Sequence, residues 1–177
     1  MKNKLNIGCG NDIKEGFVNL DITQLPGVDV VCDIENSLLP FENETFEYIM
    51  CIDVLEHVDY PKVLKEIHRV LKPEGIVEIR VPHFTSSNNY IDPTHKRMFS
   101  FRTFDFFVNN TRYNRNYYFD FQFSELLFSK ITFMNKNPLN WPFLIWVNAN
   151  KTTQKIYEET FLRSIAPAYN VEVKLKK

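Results

Sequence analysis

Two glycines, two aspartates and a set of histidines are the residues of this chain whose types and spacing suit chemistry. Gly8 and Gly10 make a Gly-x-Gly turn directly after the apolar run Leu5-Asn6-Ile7. Without Cβ atoms there, a ligand can approach the backbone and positive φ is allowed. Asp21 closes the next apolar segment, Val18-Asn19-Leu20, and can accept hydrogen bonds from a ribose diol. Asp33 closes a third segment, Val28 to Cys32. Three apolar segments that each end in a ligand-type residue describe the carboxyl edge of an α/β sheet, where such folds bind nucleotides.

The same residues exclude other chemistries. The third glycine of a dinucleotide fingerprint would fall on Ile13, and Asp21 comes well short of the usual ~20-residue spacing. No Gly-Lys-Ser/Thr loop is present to cradle phosphates, and no Gly-x-Ser-x-Gly elbow to present a nucleophile. A ligand other than a pyrophosphate is favoured.

Four histidines are available as bases near neutral pH: His57, His68, His83 and His95. His68 falls in an amphipathic helix and reads as a surface residue. His57 follows the fourth predicted strand, where it either touches a ligand or opens a helix. His83 follows Val81-Pro82 at the end of the fifth strand. His95 sits in Asp92-Pro93-Thr94-His95-Lys96-Arg97, a polar cluster inside an aromatic loop. His83, His95 and Asp92 are the candidate catalytic residues, and Asp53 has a lesser claim. A buried turn built on Asp92 explains the cluster equally well without catalysis. His83, Asp92 and His95 also have the composition of a metal triad, but nothing in their spacing puts them on one face, and no metal is expected.

Strands and helices alternate as far as Pro82. Lys4 to Ile7 reads as a strand, and Asn11 to Gly16 leaves room for a short helix. Phe46 to Ile52 reads as a buried parallel strand. Pro61 suits a helix start, Val63, Leu64, Ile67, Val70 and Leu71 recur at helical spacing, and Pro73 with Gly75 marks the stop. Ile76 to Val81 alternates apolar with charged residues, as a strand near a sheet edge does. Further on, Ser124 to Ser129 and Lys151 to Ser164 read as helices, Lys130 to Met134 as a strand, and Val171 to Leu175 as a closing strand. The stretch from Phe84 to Phe123 lacks glycine and interleaves aromatics with Asn, Arg and Asp. These rings form either a lid with its own small core or the wall of an apolar substrate pocket.

Leu5 to Gly10, Asn19-Leu20-Asp21, Cys32-Asp33-Ile34-Glu35, Leu39-Pro40-Phe41, Val54-Leu55-Glu56-His57-Val58 and Arg69 to Gly75 follow one another across the first half. In that ordered series the chain resembles the class I S-adenosylmethionine-dependent methyltransferases of the small type 11 kind. The resemblance implies an α/β, Rossmann-like, doubly wound and mostly parallel sheet, with an antiparallel C-terminal strand and an aromatic-rich lid insertion. It implies S-adenosyl-L-methionine as cofactor, with Gly8 and Gly10 toward its methionine and ribose parts. Asp21 would meet the ribose hydroxyls, Asp33 the adenine amino group, and Ile34 the adenine ring. Cys9, Ile22, Ile52 and His57 complete the expected cofactor-binding set. Asn6 stands where many relatives carry an acidic residue, so its amide would meet the methionine ammonium without a charge. The expected activity is methyl transfer to an oxygen or nitrogen of a small-molecule acceptor. Positioning supplies much of the catalysis, and a base is needed mainly for a hydroxyl or protonated amine. The competing reading is a non-catalytic S-adenosylmethionine-binding partner or regulatory subunit.

The 177 residues suit one domain, with residues 1–82 as the cofactor half and 83–177 as the lid and the rest of the sheet. A net charge of −1 gives no bulk attraction to nucleic acid, and none is expected as a partner. Cys9, Cys32 and Cys51 lack metal-type spacing and read as reduced thiols. Trp141 to Val147 is too short to span a bilayer, and no signal peptide precedes Leu5, so the expected location is cytoplasmic. Exposed aromatics would suit a homodimer.

Overall fold

Leu5, Ile7, Leu20, Ile49 and Cys51 occupy alternate positions of short apolar runs, and strand register brings them to the same dry side of one sheet. The computed structural model describes residues 2–109, 111, 113, 116–134 and 141–177. Its strands are β1 (Lys4–Ile7), β2 (Val18–Asp21), β3 (Val30–Val31), β4 (Phe46–Ile52), β5 (Leu71–Pro82), β6 (Glu125–Ile131) and β7 (Asn170–Lys176). They form one sheet of order β3-β2-β1-β4-β5-β7-β6. β1 to β5 run parallel, and β7 is inserted antiparallel between β5 and β6. The strand order reverses between β1 and β4, the switch point at which open α/β sheets leave a crevice for ligands. This is the expected Rossmann-like sheet.

Helix α1 (Tyr60–Val70) starts with Pro61 in its first turn and buries Val63, Leu64, Ile67 and Val70. Arg69, at its last turn, donates to the carbonyls of Leu39 and Phe41 at 2.9 and 2.8 Å and pairs with Glu66. The Leu39-Pro40-Phe41 and Arg69 motifs are therefore two halves of one clasp. The helix passes directly into β5 at Leu71, so Pro73 and Gly75 end no helix: they form an irregularity inside a longer strand.

Several expectations change. No helix forms between Asn11 and Gly16, where the chain makes turns. Ser124 to Ser129 is not helical: Glu125 to Ile131 extends and pairs with β7, and the expected strand at Lys130 to Met134 ends at Ile131. Lys151 to Ser164 divides into α4 (Lys151–Glu159), capped by Asn150, and α5 (Leu162–Ile165). Helices α2 (Asn88–Ile91) and α3 (Trp141–Val147) complete the set, and among the described residues no helix is long and apolar enough to cross a membrane.

β5 is not at an edge but lies between β4 and β7. Its alternation arises because one face of the sheet is dry and the other wet. Val77, Ile79 and Val81 are fully buried, whereas Glu78 and Arg80 stay half-exposed and pair across strands. Glu78 meets Lys174 at 3.1 Å, and Arg80 pairs with Asp53. Cross-strand ion pairs thus solvate a parallel sheet face of a kind that is usually covered.

The aromatic segment supplies core. Phe99, Phe104, Phe107 and Phe123 are at most 1% exposed. Phe99 stacks on Phe104 and packs edge-on to Tyr60 of α1, and Phe107 stacks on Phe119. Asn110, Arg112, Asn114 and Arg115 of that stretch lie outside the described residues. His68, read as a surface residue, is half-buried with its ring 5.2 Å from that of Phe123. Burial lowers its pKa. The three cysteines are free, with Cys9 and Cys51 buried.

Candidate functional site

The carboxyl ends of β1 to β4 enclose a cavity of about 320 Å³. Gly8, Leu20, Asp21, Ile22, Asp33, Ile34, Asp53, Val54 and His57 are among its lining residues. Its size falls in the range of small-molecule sites, and its walls are apolar with carboxylates at defined points. Gly8 has φ +64°, and a Cβ there would come within 2.3 Å of Val54 Cγ2. Gly10 has φ +48° with open space where its Cβ would stand. The turn is held from below by Asn6, whose buried amide donates to the Asp12 carbonyl at 2.9 Å and to Asn19 Oδ1 at 3.1 Å. It is held from the front by Asp21, whose Oδ2 accepts from Gly10 N at 2.8 Å.

Of the expected cofactor-binding residues, Gly8, Asp21, Ile22, Asp33, Ile34 and His57 line this cavity. Asn6, Cys9, Gly10 and Ile52 do not. The amide of Asn6 is engaged in bracing the loop. Asp33 accepts from the backbone amides of Glu35 and Asn36 and from the Asn36 side chain, and these bonds hold its pKa below the usual carboxylate value.

A second cavity, of about 350 Å³, opens beside the first and shares Asp53 and His57 with it. Its other walls include Glu56, Asn88, Asp92 and His95. Asp53 adopts φ +56°, an uncommon conformation for a non-glycine residue at a strand end that faces a site. The loop carrying His95 docks on the turn carrying Glu56. Lys96 N and Arg97 N donate to the Glu56 carbonyl at 2.7 and 3.2 Å. His57 Nδ1 lies 2.9 Å from Thr94 Oγ1, which donates to Asp92 Oδ1 at 2.6 Å. The rings of His57 and His95 meet edge to face at 4.6 Å. Glu56 is 1% exposed, and burial pushes its carboxyl up to about 8. Burial, then the neighbouring His95, lowers the pKa of His57.

His83 corrects an expectation. It sits at the end of the fifth strand as read, but it is fully buried and lines neither cavity. Its Nε2 lies 2.9 Å from Glu158 Oε1 and its Nδ1 2.8 Å from Thr85 Oγ1. Glu158 also accepts from Ser100 Oγ at 2.5 Å and from Phe101 N at 2.8 Å. This network ties α4 and the aromatic segment to β5. The triad of His83, Asp92 and His95 is likewise not formed; Glu56 and His57, not His83, stand beside His95. An acidic residue one turn before a helix normally faces solvent, and no local sequence pattern reveals the burial of Glu56. A further cavity, about 390 Å³, lies near Glu125 and Leu126, at the opposite, amino edge of the sheet. Open α/β sheets take their ligands at the carboxyl edge, where the other two cavities lie.

Residues 3–79 match the family described as a methyltransferase domain. An uncharacterized protein of Methanocaldococcus jannaschii is 57% identical over 37 residues, 21% of this chain and 16% of that protein. The mitochondrial arginine-hydroxylase NDUFAF5 of Homo sapiens is 39% identical over 67 residues, 37% of this chain and 19% of that protein. The match thus spans less than a fifth of either curated relative. A solved S-adenosylmethionine-dependent methyltransferase from Archaeoglobus fulgidus superposes with a TM-score of 0.63, at 20% identity, over 98% of this chain and 85% of that one. At that identity the likeness establishes the fold.

Proposed function

We propose that this chain, which carries a class I S-adenosylmethionine-dependent methyltransferase domain, binds the cofactor in the cavity at Gly8 and methylates an oxygen or nitrogen of a small acceptor seated in the adjoining one. The observation that carries the reading is the junction of the two cavities at Asp53 and His57, on the carboxyl edge of the sheet. The donor set fits the cofactor. Asp21 and Asp33 offer carboxylate oxygens to hydroxyl and amino donors, while Leu20, Ile22, Ile34 and Val54 offer apolar walls to a flat base. When bound, the cofactor supplies a methyl group already activated on a sulfonium.

The protein's part is chiefly placement. Gly8 lets a ligand lie against the backbone, and the Asp21 bond to Gly10 N holds that loop in place. The acceptor's side of the junction holds the His57 and His95 rings as walls and the Asp92 carboxylate, which can orient a hydroxyl or amine and take up its proton. Asp92 holds Thr94, and Thr94 holds His57, so the ring is fixed before substrate arrives. In this reading the candidate catalytic residues His95 and Asp92 stand with His57 on the acceptor's side, whereas His83 is buried away from both cavities. The test is release of S-adenosylhomocysteine from S-adenosylmethionine across a panel of hydroxyl and amine acceptors. Acceptor-dependent release supports transfer, and cofactor binding without release for any acceptor class would favour a binding subunit.

A further inference from the structure

We propose that Glu56, His57 and His95 form a binding site for one divalent transition-metal ion, with Asp92 as its outer carboxylate. Each of the three offers a ligand atom, and these atoms all lie within 4.8 Å of one another. Among the described residues, no other group of three or more histidines, cysteines and carboxylates comes together in this way. Two imidazoles and one carboxylate suit zinc, iron(II), cobalt(II) and their neighbours rather than calcium or magnesium.

Hydrogen bonding leaves the inward-facing atoms free. Glu56 Oε2 and His95 Nδ1 are buried with no partner, an arrangement that native interiors avoid unless something else meets those atoms. His57 Nδ1 is taken by Thr94, which leaves Nε2 to ligate. The outer ring matches the pattern of metal-bound histidines, whose second nitrogen faces a carboxylate directly or through one group. His95 Nε2 lies 3.8 Å from Asp92 Oδ2. His57 reaches the other oxygen of Asp92 through Thr94. One half-exposed carboxylate therefore holds the His57 ring through Thr94 and stands within ion-pair reach of His95. The backbone holds the residue that carries the third ligand, since the amides of Lys96 and Arg97 donate to the Glu56 main-chain carbonyl.

Three protein ligands leave coordination positions open, and these face the cavity lined by Asp53, Asn88 and Asp92. They suit an oxygen donor, a hydroxyl or carboxylate, from the acceptor. That last role rests on the methyl-transfer reading; the metal site itself does not.

The test uses the tag-free full chain, stripped with chelator and titrated with cobalt(II) by visible absorption and with zinc(II) by calorimetry, no cofactor being present. One ion per chain is expected, with visible bands of imidazole-ligated cobalt. Glu56→Gln and His95→Ala should abolish the bands, Asp92→Asn should weaken affinity by ~10–100-fold, and His68→Ala should leave it unchanged. If a ligand variant fails to fold by circular dichroism, Asp92→Asn on the half-exposed outer carboxylate carries the test. No ion bound by the wild type, or equal affinity in the wild type, His95→Ala and Asp92→Asn, would overturn the proposal. Titration with S-adenosylhomocysteine in chelator reads the neighbouring cleft separately, so failure of one reading is distinguishable from failure of the other.

Discussion

His57 and His95 come from different loops, yet their rings meet edge to face with centres 4.6 Å apart. The contact exists because two backbone amides just after His95 bond to the carbonyl just before His57. It places paired imidazoles where the two cavities join.

The first prediction concerns this pair. His95→Ala removes a wall of the proposed acceptor cavity but not of the proposed cofactor cavity. Turnover on a hydroxyl acceptor should fall by at least ~10–100-fold, since in the proposed metal site His95 is a ligand beside the acceptor's seat. Affinity for S-adenosylhomocysteine should hold. Steady-state rates and calorimetry on the same preparation check both halves.

Gly8→Ala should lower stability. The new methyl would meet Val54 Cγ2 at 2.3 Å, in a backbone region of φ +64°. The two effects together should cost about 2–4 kcal/mol. Adding Val54→Ala should relieve the clash but not the backbone strain, so urea denaturation of the double variant should show partial recovery.

Glu158→Ala should damage the fold rather than the chemistry. Its carboxylate serves His83, Ser100 and Phe101 in the interior. Leaving buried donors without their acceptor costs about 1–3 kcal/mol for each. Denaturation midpoints should drop sharply for Glu158→Ala and less for Glu158→Gln. Turnover per folded molecule should be preserved in His83→Asn, in contrast to His95→Ala.

The ordered motifs of the first half could be read from sequence because each is local: an apolar run, then a turn with glycine or aspartate. The pattern of α1 was equally legible in Val63, Leu64, Ile67 and Val70. β6 was not, because Ser124 to Ser129 carries adjacent Leu126 and Leu127, which fit a helix, and only pairing with β7 draws it into a strand. Pro73 and Gly75 read as a stop because proline and glycine break helices, yet here they sit in an irregular strand. In the site, Asp21 and Asp33 were visible as strand-end carboxylates. Glu158 beside His83 and Glu56 beside His95 were not, since each contact joins loops distant in sequence.

Acid should weaken the fold partly through His68. Burial against Phe121 and Phe123 lowers its pKa below the ordinary 6.5, so the unfolded chain binds the proton more readily. Its contribution to stability is therefore complete above about pH 6.5 and is lost as pH falls through the lowered value. Urea titrations at several pH values should show a shallower acid slope for His68→Phe than for the wild type.

The most direct test of the central claim is calorimetric titration with S-adenosylhomocysteine of the wild type and of Asp21→Ala and Asp33→Ala. The account predicts one site per chain, weakened by each substitution, with the folded state intact by circular dichroism. No binding by the wild type up to millimolar ligand, or binding indifferent to both aspartates, would contradict it.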